Sequence, residues 1–373
     1  MLDRAKLFKE ISRVSDELFV SHSDEYEHAR QIWNCITKDE LFAEKCASQL
    51  WPLPIPSWDG PLDAVTTLEH RNAPYTVIGV DGSQIYPDRH QGTSCYLINI
   101  GLIAIEYGLA SSCVQMITQP YVFTGQHDEN FLVSTTDMVN AVREAYEFET
   151  GYAYTLQYGL NRDSSLILFD GSLIFWHLES KDASFKHTFI KRYTDTLAAL
   201  YDNRMLHAAY VSMPRHREVS NLIRLALCNF ESTQADIYKT IEHVTDSTVI
   251  QFFLAPGQRS TIFGYTGPLR LSYPDFLRPH FFYINTGYEI GRVEIPAWIA
   301  NNLTACDFLS QVIVDQANKG HGYPIILAEA HEQAVIKGAD RDFFYQVITK
   351  YALQRKKRIA ISPKSMKKRL IGV

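Results

Sequence analysis

The sequence predicts an α/β protein: a mixed sheet flanked by helices, with an N-terminal helical extension and a C-terminal α+β portion. Three observations carry that prediction. Residues 1 to about 48 place apolar side chains every three to four positions with no Pro or Gly, which is the period of a helix. Three apolar, β-branched runs then follow one another with no helical pattern between them: YTVIGVDGSQIYP (75–87), CYLINIGLIAIEYG (95–108) and SCVQMITQPYVF (112–123). After these, strand-like and helix-like segments alternate, so the sheet mixes an antiparallel meander with helix-linked strands.

Taken in order, WPLPIPSWDGPLD (51–63) breaks regularity with four prolines and a glycine and reads as a linker or an irregular wrap. The division expected from this is an N-terminal segment over 1–63 and a main domain over 64–373. Within the main domain the three strands of the meander come first. The pattern turns helical from Ser134 to Tyr158, with Asp137 in the first turn. SSLILFDGSLIF (164–175) is a buried strand, and a helix over about 183–203 follows it. LHAAYVSM is a short strand, and RHREVSNLIRLALC a helix. Residues 229–275 carry no clear periodicity. FFYINTGYEIGRVEIPAW (281–298) alternates on both sides of Asn-Thr-Gly and reads as a hairpin. A helix over roughly 302–318, the loop KGHGYP and helices near 326–336 and 340–355 complete the order. The succession β-β-β-α-β-α is that of an RNase H-like core.

Composition is ordinary for a soluble globular chain, at 46% hydrophobic and 21% charged residues, and 373 residues can bury a large core. The six cysteines are scattered, with no C-x-x-C pair, which argues against a zinc ribbon or a disulfide framework and for a reducing cytoplasm. The charged, amphipathic first residues do not read as a signal peptide, and no apolar run approaches the roughly 20 residues of a membrane span. A cytoplasmic protein without membrane contact is expected. The net charge of −6 argues mildly against a passive DNA binder, since phosphate neutralisation favours basic proteins. The charge is uneven, however: RKKRIAISPKSMKKRLIGV holds eight Lys or Arg and no acid. Within it Lys364, Lys367 and Lys368 are candidates for DNA contact, and a solvated tail is the alternative.

Two apolar runs end in Asp-Gly-Ser, at Asp81 and Asp170. An acid after an apolar strand is costly to bury unless something pairs with it, and the following glycine permits a sharp turn and close approach of a ligand. Two such ends on neighbouring strands would bring two carboxylates together, for which a divalent cation is the usual remedy. A single Asp-Gly-Ser is also ordinary turn chemistry; its repetition after apolar runs favours the metal reading. The Asp-x-Ser-x-Ser pattern of a metal-dependent adhesion site fails at Ile85, and Gln84-Ile85 does not supply the phosphate loop of a sugar kinase. His331, on an expected helix, could complete a metal shell or transfer protons, and Tyr323 lies in the loop before it. No second histidine follows at a zincin spacing, because residue 335 is Val. A third acid is expected from the helix between the two Asp strands, where Glu144, Glu147 and Glu149 are the candidates.

These segments together resemble the NurA nucleases, in their longer bacterial branch. VIGVDGSQ resembles the family's opening strand, SLILFDGSLIFW its second Asp strand, and HAAYVSMPRHREVSNLIRLALC its strand-Ser-Pro-Arg segment. FFYINTGYEIGRVEIPAW resembles its late hairpin and GYPIILAEAHEQAVIKGADRDFF its C-terminal motif, all in order from about 75 to 350. The resemblance implies that Asp81 and Asp170 ligate metal, that His331 is a ligand or catalytic group, and that Tyr323 lies in the active site. For the third acid Glu149 is chosen, with Glu147 as the fallback. It further implies an RNase H-like fold, Mn²⁺ or Mg²⁺ in a two-metal site, and hydrolysis of single- and double-stranded DNA, 5′ to 3′ as an exonuclease and also as an endonuclease. A homodimer working in DNA end processing with HerA, a hexameric ATP-driven translocase, is implied as well. This chain has no G-x-x-x-x-G-K-S/T loop, so ATP-driven motion would come from that partner. The alternatives are a non-catalytic DNA-end clamp or assembly subunit on the same fold, and a nuclease for RNA or RNA–DNA hybrids.

Overall fold

The structure is a computed structural model that describes residues 2–47, 51, 53–91, 93–108, 113–124, 135–231 and 240–357. Three helices come first, α1 (Arg4–Leu18), α2 (Ser23–Ile36) and α3 (Phe42–Ala47), then two short strands, β1 (Ser57–Trp58) and β2 (Val65–Thr67). The meander is β3 (Tyr75–Ile85), β4 (Tyr96–Tyr107) and β5 (Val114–Phe123). Next come α4 (Thr136–Tyr158), β6 (Ser165–Asp170), α5 (Ala183–Asp202), β7 (Leu206–Val211), α6 (Ser220–Leu227) and α7 (Asp246–Ile250). Strands β8 (Gln258–Ser260), β9 (Phe263–Gly264), β10 (Pro279–Asn285) and β11 (Ile290–Pro296) precede α8 (Ala297–Ala300), α9 (Leu303–Lys319), α10 (Ile325–Ala334) and α11 (Gly338–Gln354).

All eleven described strands belong to one sheet, whose main path runs β1-β9-β10-β11-β7-β6-β3-β4-β5. β3 pairs antiparallel with β4, and β4 with β5, while β6 runs parallel to both β3 and β7. The order β5-β4-β3-β6-β7 is the RNase H-like mixed sheet expected from the sequence. The hairpin expected at 281–298 is β10 and β11, and it extends the sheet beyond β7.

Because successive side chains in a strand point to opposite faces, each central strand supplies two cores. On one face Ile78, Val80, Ile98 and Ile100 pack with Val139, Val142 and Phe148 of α4 and with Phe189 and Tyr193 of α5. On the other, Val77, Leu166 and Leu168 pack with Leu309, Val312 and Ile313 of α9 and with Ile326 and Leu327 of α10. Each such fully buried apolar side chain contributes roughly 1.5–3 kcal/mol before entropy is counted. A third core joins Trp33, Ile36 and Phe42 of the N-terminal helices to Leu222, Ile223, Val249, Ile250, Phe281 and Tyr283.

Several segments differ from expectation. Asp81 lies inside β3 rather than at its end, because β4 pairs with β3 through Ile85. The helix read over RHREVSNLIRLALC begins only at Ser220; the preceding residues form an irregular connection. The unreadable stretch 229–275 contributes β8 and β9, strands too short to show a period, and the proline-rich stretch contributes β1, which pairs with β9. No described helix is long and apolar enough to cross a membrane.

Candidate active site

The site forms where β6 ends and β3 continues. In the parallel register Val80 lies beside Phe169, which sets Asp81 abreast of Asp170. Both acids point to the face covered by α10, as Val77 and Leu168 do. That helix can lie close because two glycines leave room. A Cβ at Gly79 would come 2.5 Å from the Ile326 carbonyl oxygen, and one at Gly101 the same distance from the Ala334 nitrogen. The close seat brings His331 over Asp81, with Nδ1 2.7 Å from Oδ2, although the ring itself is 60% exposed. Asp81 also accepts from the Gly82 N–H at 2.7 Å.

From the opposite face α4 supplies Glu147 and Arg143. Its first turn is capped by Thr135, whose hydroxyl accepts from the Met138 N–H at 3.2 Å, and it ends at Gly159 in the left-handed conformation, φ 55°. The Glu147 carboxylate sits directly over Gly82: a Cβ there would lie 2.6 Å from Oε1. Gly82 therefore opens a gap in the sheet through which an acid on one face approaches acids on the other. Arg143 fills the space between them. Its Nη1 lies 3.0 Å from Glu147 Oε1, 3.9 Å from Asp81 Oδ1, and donates to the Gly82 carbonyl at 3.0 Å.

Burial pushes the Glu147 carboxyl up to about 8; Arg143 opposes this, while Asp81, Glu144 and Asp170 add to it. Asp170 is also raised, by burial first and then by Asp81, against a hydrogen bond from Tyr323. Tyr323 stands at the site as well, its ring edge-on against Tyr210, the residue beside Asp170 in register. A different carboxylate anchors the turn after Asp170. Glu294, fully buried on β11, accepts through Oε2 from the Ser172 hydroxyl at 2.6 Å and from the Leu173 and Ile174 N–H groups at 2.8 and 3.2 Å. Its other oxygen holds the buried Arg292, which also reaches Glu218.

Residues 75–336 match the NurA domain. The chain belongs to the NurA family. Among solved structures, a crystal structure of NurA bound to dAMP and manganese is similar at 14% identity, covering 91% of this chain and 95% of that one, with a TM-score of 0.37. NurA with manganese gives the same identity and TM-score over 98% of that chain, and the RuvC structure from Thermus thermophilus matches 46% of this chain at 10% identity and a TM-score of 0.19. No curated protein matches.

Of the residues expected at this family's site, the fold brings Asp81, Asp170, His331 and Tyr323 together, but not Glu149. Glu149 turns to α5 and is held there by Arg192, Nε at 2.6 Å and Nη2 at 3.0 Å. Two residues along a helix is a rotation of about 200°, so Glu149 and Glu147 cannot face the same partner. Glu147 is the acid that α4 turns toward Gly82 and Arg143. Glu144 lies beside His177 at 3.2 Å and Tyr193, and burial pushes its carboxyl up to about 7. Arg143, Gly82 and Glu294 were missed. Lys364, Lys367 and Lys368 lie outside the described residues.

The donor set fits a divalent cation. Three carboxylates and an imidazole are hard oxygen and borderline nitrogen donors, as manganese and magnesium sites use. Glu147 Oε1 is buried, yet among the described residues it has no hydrogen-bond partner, only the poorly directed approach of Arg143. A buried oxygen so placed, on an acid whose charged form is disfavoured, matches a centre completed by positive charge. No three of the site's ligand atoms lie within 4.8 Å of one another. Like charges spread, and Arg143 stands between two of them.

Proposed function

We propose that this protein is a divalent-metal-dependent nuclease that hydrolyses DNA phosphodiester bonds, single- and double-stranded, as a 5′ to 3′ exonuclease with endonuclease activity. The observation that supports it most is the gathering of Asp81, Glu147, Asp170 and His331 around the gap at Gly82, in a chain of the NurA family. Asp81, Glu147, Asp170 and His331 would hold Mn²⁺ or Mg²⁺. Bound there, a divalent cation supplies Lewis acidity toward phosphate oxygens and toward the attacking water.

The chain's own groups do the rest. Asp81 orients the imidazole of His331 through the 2.7 Å contact, leaving the exposed ring to meet substrate or exchange protons with solvent. Tyr323, close to Asp170, can donate to that carboxylate or to a phosphate oxygen. Arg143 is a fixed cation that can follow the phosphate backbone once the acids have other partners. The same proposal takes the chain to be a homodimer that works with a HerA-type hexameric ATPase in DNA end processing. The test is incubation of the full chain with labelled single-stranded DNA, duplex DNA and RNA, in Mn²⁺, Mg²⁺ or EDTA. Cleavage of DNA with either metal and none in EDTA supports the reading; RNA cleavage alone, or cleavage in EDTA, overturns it.

A further inference from the structure

Far from the nuclease site, on the seam between the N-terminal helices and the main body, three metal-ligating side chains meet. His22 immediately precedes α2, Glu25 lies in its first turn, and His243 comes from the connection before α7. His22 Nδ1 and His243 Nδ1 approach the same carboxylate oxygen, Glu25 Oε1, at 3.2 and 2.9 Å. The three ligand atoms lie within 4.8 Å of one another, the one such group among the described residues. The second oxygen, Oε2, accepts from the His243 N–H at 2.9 Å, which fixes the carboxylate across 218 residues of chain.

We propose that His22, Glu25 and His243 form a structural site for a zinc-class transition-metal ion that fastens α2 to the body of the protein. Ligand atoms on a tetrahedral ion at 2.0–2.1 Å stand roughly 3.3 Å apart. The two measured N···O separations are close to that spacing, and because the ring planes are nearly parallel the imidazoles must turn for both Nδ1 lone pairs to meet one ion. The imidazole rings stack with centroids 3.7 Å apart and planes 18° from parallel. Metal binds the neutral form of imidazole. Two nitrogens and one oxygen favour zinc over manganese or magnesium, whose sites are rich in oxygen. The side chains are 25%, 21% and 50% exposed, which leaves water free to take a fourth position. The bland alternative is that both rings simply hydrogen-bond to Glu25.

Cobalt(II), which absorbs visible light strongly in tetrahedral N/O sites, is the direct probe. Titrated into the metal-free full chain, it should give a saturable band at one ion per chain that Zn²⁺ displaces. His243→Ala and Glu25→Gln should weaken that binding by at least on the order of 10–100-fold, the range for losing even an outer-sphere partner. Glu25→Gln keeps the shape of the side chain, and circular dichroism of each variant checks the fold. Asp81→Asn, which damages the other site, should keep the band. Zn²⁺ should also raise the melting temperature of wild type by a few degrees more than that of His243→Ala. Absence of the band, or a band and a melting shift undiminished in both seam variants, overturns the proposal.

Discussion

Asp81-Gly82-Ser83 and Asp170-Gly171-Ser172 share three letters and lie side by side on neighbouring strands, yet they are different structures. The first continues as strand for two more residues past Ser83, and its glycine is needed for space, because Glu147 occupies the volume a side chain would take. The second ends its strand. Gly171 has φ 112°, a conformation L residues rarely adopt, and nothing lies within 4 Å of where its Cβ would be. One glycine is selected by a neighbour and the other by its own backbone. The carboxylates differ in support too: Asp81 is held by groups at the site, whereas the turn after Asp170 is clamped from behind by the buried Glu294. A three-residue motif states which residues can turn; what packs beside them decides whether they do.

Four measurements can break or sharpen this comparison. The largest effect is expected where the two segments do the same job. Asp81→Asn and Asp170→Asn should each lower Mn²⁺-dependent cleavage by on the order of 10²–10³-fold or more, the scale of losing one group that stabilises transition-state charge. Single-turnover rates measure this, and wild-type rates in either variant would remove that residue from the site.

Next come the glycines, where the two should part. Gly82→Ala should displace Glu147 and cost roughly 10²-fold in cleavage, as misplacements of about 1 Å do. It should also lower stability by about 1–3 kcal/mol through overpacking. Gly171→Ala should cost about 1–3 kcal/mol through backbone strain instead. In a Glu147→Ala background the stability penalty at 82 should shrink and that at 171 should not. Urea denaturation of the six proteins, the two glycine variants and their parent in each background, decides it; equal penalties in both backgrounds would mean that the two glycines act alike.

The third is a pH effect. Glu147 titrates near 4.5 when unfolded and at about 8 when folded, so the folded state keeps a proton that the unfolded state has lost. The contribution of Glu147 to metal-free stability should therefore be full below pH 4.5 and be lost, by a few kcal/mol, as pH rises toward 8. Asp170, also raised, acts in the same direction. Thermal denaturation in EDTA across this range should show the fall; Glu147→Gln should flatten it, and Mn²⁺ should suppress it. Stability that rises over this range in EDTA would contradict the environment described for Glu147.

Smallest of all should be Glu149→Gln. Its pair with Arg192 is partly exposed and worth about 0–1 kcal/mol, and cleavage should be unaffected. Loss of cleavage in this variant with retention in Glu147→Gln would reverse the choice between the two acids.

Most of the fold was legible because the central strands are long and apolar and the helices periodic. Asp81, Asp170 and His331 could be named because each sits in such a strand or helix, and Tyr323, in a loop, because its segment resembles the family's C-terminal motif. Glu149 was chosen over Glu147 because both lie on one helix, and nearness to the second Asp strand does not report which way a helical residue points. A usable signal was present in Gly151. Glycine inside a helix costs about 1 kcal/mol relative to alanine, and it marks a close approach. Here a Cβ at 151 would lie 3.3 Å from Phe169 of β6. Glu147 is one turn before Gly151 and shares its face, whereas Glu149 does not. Arg143, one turn earlier still, follows from the same reasoning. Glu294 was beyond reach, since its partners lie about 120 residues away in the chain and only the pairing of β11 with β7 brings them close. The short strands β8 and β9 carry too few residues for any period to show.

The third core has a consequence for how this chain is made. Trp33 stacks on Phe253 with ring centroids 5.7 Å apart, so the first helices find their cover only when residues 220 positions later have been synthesised. At 5–20 residues per second the wait is roughly 10–45 s. Through that interval Trp33, Ile36 and Phe42 emerge from the ribosome as an apolar stripe with nothing to cover it. Helices α2 and α3 are thus made long before their apolar side chains can be buried, and a nascent chain stalled before residue 253 would offer that stripe to chaperones.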